Sequence, residues 1–167
     1  MKIAINTGGG DAPGLNAVIR AATIAGLELG WEMWGIRCGY RGLLDMPKEE
    51  GLIRLDRERV RGITHLGGTI LGTINKGNPF EYPVKTEDGI ELRDRSDELV
   101  EKFKECGFDA LIAIGGDGSI RIAHKLWNKG VPLICVPKTI DNDLPETVVT
   151  FGFDTAVSTA TEAIDKL

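Results

Sequence analysis

Ile112-Ala113-Ile114-Gly115-Gly116-Asp117-Gly118-Ser119 is an apolar run that ends abruptly in glycines around a single carboxylate. The segment Asp109 to Ile114 is short and apolar and precedes a helical pattern, so it reads as a central strand of an α/β sheet. Ligands of such sheets sit beyond the strands' carboxyl ends. There, glycines let backbone N–H groups approach an anion, Ser119 can cap the next helix so that its positive end faces that anion, and Asp117 can hold a divalent cation. Nucleotide or polyphosphate binding is the local reading. A carboxylate buried at such a point is costly unless it is hydrogen-bonded or paired, which weighs against a plain Asx turn.

On either side the chain alternates strand and helix. Lys2 to Asn6 reads as a strand, followed by a helix whose face carries Val18, Ala21, Ala22, Ala25 and Leu29 and which Gly30 stops. Trp31 to Arg37 reads as a second strand. Cys38 to Leu92 is rich in glycine and charge, with short apolar pieces such as Leu52-Ile53, and is expected to be irregular with short strands or helices. A helix from Ser96 to Cys106 ends at Gly107, and Glu91 to Glu105 reads as the wet face of a helix. After the opening strand come a helix from Ser119 to Asn128, a strand from Pro132 to Val136 ended by Pro137, and a last helix with Val157, Ala160, Ile164 and Leu167 on one face and Asp154 as N-cap. This order predicts a parallel sheet with right-handed crossovers. The last helical pattern is still running at Leu167, which reads as part of a larger protein.

Composition narrows the class. The length of 167 residues suits one domain with a real core, and 42% apolar and 27% charged residues are ordinary for a globular chain. A net charge of -5 argues against a general nucleic-acid binder, and no apolar run approaches the ~20 residues needed to cross a membrane. Cys38, Cys106 and Cys135 show no Cys-x-x-Cys spacing, so neither a zinc site nor a disulfide framework is indicated, and a cytoplasmic setting is the default. Glycine is the outlier: 22 of 167 residues is about twice the usual ~7%, and it gathers at strand ends.

Two further loops join the first. Gly8-Gly9-Gly10-Asp11-Ala12-Pro13-Gly14 lies between strand and helix, yet has Pro13 where the dinucleotide fingerprint needs glycine and Leu15-Asn16 where a Walker A loop has Lys and Ser or Thr. Alone it reads equally as a tight turn and as an anion site. Lys138, Thr139, Asp141 and Asp143 follow another strand. Phosphoryl transfer needs a carboxylate to accept a hydroxyl proton and cations to meet phosphate charge, so Asp141 can be the base and Lys138 the fixed cation. A solvated polar loop is the plainer alternative, but three such loops at strand carboxyl ends make coincidence hard to sustain. Trp31, Trp34 and Trp127 read as core or rim packing, His65 and His124 are too isolated for a metal site, and Thr69 to Thr73 with Asn75-Lys76-Gly77-Asn78 reads as a glycine-rich connection or a ligand loop.

These residues resemble the 6-phosphofructokinase family. The resemblance rests on Gly9 to Asn16 with Ile19-Arg20, Gly67-Gly68-Thr69 with Leu71-Gly72, Gly115 to Ser119, and Pro137 to Asp143, in the family's order and spacing over nearly the whole chain. It implies a Rossmann-like α/β parallel-sheet sandwich, the N-terminal donor-binding domain of a longer chain whose second half would grip the sugar phosphate. It implies transfer from ATP, with Mg²⁺, to the 1-hydroxyl of fructose 6-phosphate. Gly10 and Gly116, Asp117, Gly118 and Ser119 would meet the donor phosphates, Asp117 would hold Mg²⁺, Thr139, Ile140 and Asp141 would meet the sugar phosphate, Asp141 would be the base, and Lys138 and Asp143 would stand with it. Lys76 lies near a basic residue that the family places on the donor. Pyrophosphate-using members typically have Asp at the position of Gly118 and Lys at that of Lys138, while common bacterial ATP enzymes have Gly at both. Gly118 leaves room for an α-phosphate, which favours ATP with pyrophosphate as the alternative. Arg20 matches an effector-site arginine, but Ile24 replaces a second one. A dimer or tetramer is implied for the intact protein. Remaining alternatives are a lipid or NAD kinase, which also carries Gly-Gly-Asp-Gly, and a non-catalytic nucleotide-binding module.

Overall fold

The computed structural model describes residues 1–87 and 89–167; residue 88, within the stretch expected to be irregular, lies outside the described residues. β1 (Lys2–Thr7), β2 (Glu32–Ile36), β3 (Leu52–Leu55), β6 (Ala110–Gly115), β7 (Leu133–Thr139) and β8 (Phe151–Gly152) form a six-stranded sheet in the order β3-β2-β1-β6-β7-β8. All its pairings are parallel except β2 with β3, so the expected parallel sheet carries an antiparallel edge. β4 (Tyr82–Thr86) and β5 (Gly89–Arg93) make a separate antiparallel pair. The chain leaves β1 toward β2 on one side and reaches β6 on the other, so the order reverses between β1 and β6. That reversal opens a crevice at their carboxyl ends, where α/β sheets place ligands.

Both faces of the sheet are covered, giving the expected sandwich. On one face Ile3 and Ile5 of β1 pack with Leu15, Val18 and Ile19 of α1 (Leu15–Glu28). On the other, Ala4 and Leu111 pack with α2 (Arg41–Leu44), α4 (Ser96–Glu105) and α5 (Asp117–Asn128) through Leu43, Leu99, Phe103, Ala123 and Leu126. α3 (Lys48–Gly51) is a single turn before β3. Leu15 and Ile19 are fully buried, and each contributes about 1.5–3 kcal/mol by leaving water. None of the helices is long and apolar enough to cross a membrane, among the described residues.

The buried face of α1 holds Leu15, Val18, Ile19, Thr23 and Gly26, while Ala21, Ala25 and Leu29 are exposed. The reason is a close approach: a Cβ at Gly26 would stand 2.2 Å from the Met33 sulfur, so the helix lies against β2 along its smallest residue. Pro137 does not end its strand. β7 runs on to Thr139, and since β8 pairs only with Lys138 and Thr139, the strand beside Pro137 is an edge where a missing N–H is tolerated. α6 (Phe153–Asp165) is capped by Gly152, not Asp154, and none of its residues is buried, so Val157 and Ile164 remain exposed. Glu91 belongs to β5, outside the helix expected there, and Trp127 is largely exposed.

An ion network ties the β4–β5 pair to the main body. The Tyr82 hydroxyl donates to Asp45, Arg95 Nη1 lies 2.6 Å from Asp45 Oδ1, Arg95 Nε lies 2.8 Å from Glu98 Oε2, and Lys102 Nζ lies 2.8 Å from Glu98 Oε1. The hydrogen bond from Arg95 dominates the Glu98 carboxyl and, with Lys102, lowers it to about 2 against partial burial.

Candidate active site

The first glycine loop and the Gly115 to Ser119 loop leave adjacent strands and meet over one side chain. Gly8 N–H donates to Ile114 O at 2.9 Å, and a Cβ at Gly8 or Gly115 would come within 2.8 Å of Ser119 Oγ. Only glycine fits at such approaches. Ser119 is therefore not the cap expected of it: α5 begins at Asp117 with Gly116 as N-cap, and Ser119 sits inside the first turn, filling the space beneath both loops. The helix N-terminus still faces the crevice, and its first N–H groups remain available to an anion.

The first loop is clamped from two directions. Thr73 Oγ1 donates to Gly9 O at 2.6 Å, and Lys138 Nζ donates to Gly10 O. Lys138 is only 4% exposed, and burial pushes its ammonium down, with Asp11 acting in the opposite sense. Thr73 is itself held because the preceding connection is stapled to the fold: Thr7 Oγ1 donates to Gly72 O at 2.8 Å, and Asn16 Oδ1 accepts from Ile70 N–H at 2.8 Å.

Two cavities of about 350 Å³ open at this point. The first is lined by Gly10, Gly116, Asp117, Lys138, Thr139, Ile140 and Asp141. The second is lined by Asn6, Tyr40, Ile74, Asn75, Arg121, Ile122 and Lys125. Gly9, Gly118 and Ser119 line both. Gly118 has nothing within 4 Å of where a Cβ would stand, so the passage between the cavities is open at that residue.

Asp141 is exposed on the rim of the first cavity, its N–H donating to Thr139 Oγ1 at 3.1 Å. Its loop is set by residues that the sequence did not mark. Asn142, at φ 50, accepts from Thr150 N–H at 2.9 Å through Oδ1 and donates to Val148 O at 3.2 Å, and Thr150 Oγ1 donates to Thr139 O at 2.8 Å. Asp143 is exposed and does not line the cavity. Lys76 is exposed beside the second cavity, which its neighbours Asn75 and Gly77 line.

Asp117 departs from the buried carboxylate expected of it. Its side chain is 49% exposed, and both of its oxygens accept from Arg121 Nε, at 3.0 and 2.9 Å. Among the described residues no three His, Cys, Asp or Glu side chains converge as a metal cage. One exposed carboxylate beside a phosphate-sized cleft suits Mg²⁺, which binds through one or two carboxylates with substrate phosphates and water supplying the rest. Arg121, Lys125 and Tyr40 went unmarked in the sequence; the two cations recur every four residues after Asp117, a periodicity that could have drawn attention to them.

Residues 2–167 match the family profile described as "PFK: Phosphofructokinase". The chain belongs to the phosphofructokinase family. It is 55% identical over 168 residues to "ATP-dependent 6-phosphofructokinase 2" of Clostridium perfringens (strain 13 / Type A), covering 99% of this chain and 45% of that protein. It is 47% identical over 169 residues to "Pyrophosphate--fructose 6-phosphate 1-phosphotransferase" of Streptomyces coelicolor, covering 100% of this chain and 45% of that protein. The structure of Pichia pastoris phosphofructokinase in the T-state aligns with a TM-score of 0.82 at 32% identity, over 99% of this chain and 18% of that one. The chain thus spans about half the length of the curated relatives it matches. The printed names of these two relatives give ATP as the donor for one and pyrophosphate for the other.

Proposed function

We propose that this chain is the donor-binding half of an ATP-dependent 6-phosphofructokinase. In the intact protein, which we place in the cytoplasm as a homo-oligomer, the 1-hydroxyl oxygen of fructose 6-phosphate attacks the γ-phosphorus of ATP. The bond from that phosphorus to the bridging oxygen breaks, ADP departs, and the hydroxyl proton passes to the Asp141 carboxylate. The N-terminus of α5 and the Gly10 loop receive the donor phosphates, Lys138 holds that loop while supplying positive charge behind it, and Thr139 and Ile140 form the wall on which the sugar phosphate lies. Asp117 would hold Mg²⁺, which when bound neutralises charge on the transferring group. Asp143 stands outside the cavity, so its part is to add negative charge near Asp141. The grip on the sugar phosphate comes from the remainder of the longer protein.

The observation that carries the ATP reading is the second cavity, which opens past Gly118 and presents Tyr40, Ile74 and Ile122 to a nucleoside. Pyrophosphate needs no such space. The one observation favouring pyrophosphate is Lys138, a buried cation beside the first cavity, but its ammonium is already engaged by Gly10 O. The test is a coupled assay of the intact protein with fructose 6-phosphate and each donor. Fructose 1,6-bisphosphate formation from ATP is expected, and formation from pyrophosphate alone, or from neither donor, would overturn the reading.

A further inference from the structure

Asp117, Arg121 and Lys125 follow one another at intervals of four on α5 and so share a face. That face runs from one cavity to the other: Asp117 lines the first, while Arg121 and Lys125 line the second. Arg121 is 77% exposed and pairs with the Asp117 carboxylate one turn away. Exposed pairs of this kind contribute little and exchange readily, so this one can hold the guanidinium beside the second cavity without locking it there. A planar guanidinium suits phosphate as well as carboxylate. The two phosphates of pyrophosphate can be received within the first cavity, at Gly10, Gly116 and the N-terminus of α5. The phosphate that joins a polyphosphate to a nucleoside must instead pass Gly118 into the second cavity, which Arg121 lines.

We propose that Arg121 selects a nucleoside polyphosphate over pyrophosphate, exchanging its bond to Asp117 for one to the phosphate nearest the nucleoside. The inference rests on the phosphofructokinase reading above and goes beyond it by assigning donor choice to a side chain as well as to the space at Gly118. Because Asp117 would then be free for Mg²⁺, metal and nucleotide would reinforce each other's binding.

Titration calorimetry on the intact protein, with Mg²⁺-ATP and Mg²⁺-pyrophosphate as probes, tests this in wild type, Arg121→Ala and Arg121→Lys. Arg121→Ala is expected to weaken ATP about tenfold or more, the loss of a charge-assisted hydrogen bond, while pyrophosphate is not weakened. Arg121→Lys should fall between, keeping the charge but losing the fork. The melting temperature of the unliganded protein should not move, since the side chain is exposed. Equal weakening of both donors, or no weakening of ATP, would overturn the inference. If wild type phosphorylates fructose 6-phosphate from ATP while Arg121→Ala binds ATP normally, only the role of Arg121 fails; if wild type binds neither donor, the parent reading fails with it.

Discussion

The proposed donor wall, at the ends of β1 and β6, and the proposed acceptor wall, at the end of β7, differ in how firmly their residues are held within this chain. On the donor side Ser119 fills the space under two glycine loops, Thr73 and Lys138 clamp successive carbonyls, and Thr7 and Asn16 hold the connection that carries Thr73. On the acceptor side Asp141 is exposed, Val148 is 91% exposed, and α6 buries none of its residues. A site that meets phosphate charge needs donors fixed before the ligand arrives, because reorganising them during reaction forfeits the gain. A wall that is finished by other surfaces has no such need. Under the proposed function, the contrast fits a division in which nucleotide recognition is local to these residues and sugar-phosphate recognition is completed by surfaces outside them.

Substitutions on the two walls should therefore separate chemistry from binding. The largest effect is expected from Asp141→Asn in the intact protein, with kcat falling about 10²–10⁴-fold as the base is lost while ATP affinity by calorimetry stays unchanged. A matching loss of ATP affinity would erase the distinction between the walls. Next, Gly118→Asp should raise the KM for ATP roughly tenfold or more through like-charge repulsion against the nucleotide's phosphates and spare pyrophosphate. The open space around that position means the melting temperature should hold, so steady-state kinetics report the donor alone. On the same wall Gly115→Ala would drive a methyl into Ser119, at a cost of about 1–3 kcal/mol visible in thermal unfolding. An unchanged melting temperature would mean the donor wall is more yielding than its contacts imply.

The smallest effect lies away from both walls. The Glu98 carboxyl is lowered from 4.5 to about 2 in the fold, so the stability it contributes is fully present above pH 4.5 and is lost as pH falls from there toward 2. Chemical denaturation across that window should show wild type losing more stability than Glu98→Gln. Parallel curves would remove the Arg95 network from the forces that hold the β4–β5 pair in place.

Much of this arrangement was legible in the sequence, and the gaps have physical causes. The strand ending at Gly115 followed from an apolar run ending in glycine, and the placing of Gly10, Gly116, Gly118 and Asp141 around one crevice followed from three loops at strand carboxyl ends together with the family resemblance. The start of α5 was misplaced because Ser is a good cap in general, whereas here Gly116 takes that position so that Ser119 can fill the space below. Pro137 looked like a strand end because sequence does not show which flank of a strand is paired. β5 was missed although Ile90-Glu91-Leu92-Arg93 alternates apolar and polar residues, because the charge-dense stretch from Glu91 reads as a helix face, and the strand is exposed throughout, so no buried side marks it. Asp117 was expected to be buried, and its exposure alters its role: it holds Arg121 and is open to a cation. Arg121 and Lys125 passed unnoticed because a charged helix face is ordinarily only solvated, and only the cavity lining distinguishes them.

The most direct test of the division between the walls is to titrate the 167-residue chain itself, in separate calorimetric experiments, with Mg²⁺-ATP and with fructose 6-phosphate. Saturable binding of Mg²⁺-ATP with no measurable binding of fructose 6-phosphate is the expected result. Saturable binding of fructose 6-phosphate in the absence of any for Mg²⁺-ATP would contradict it.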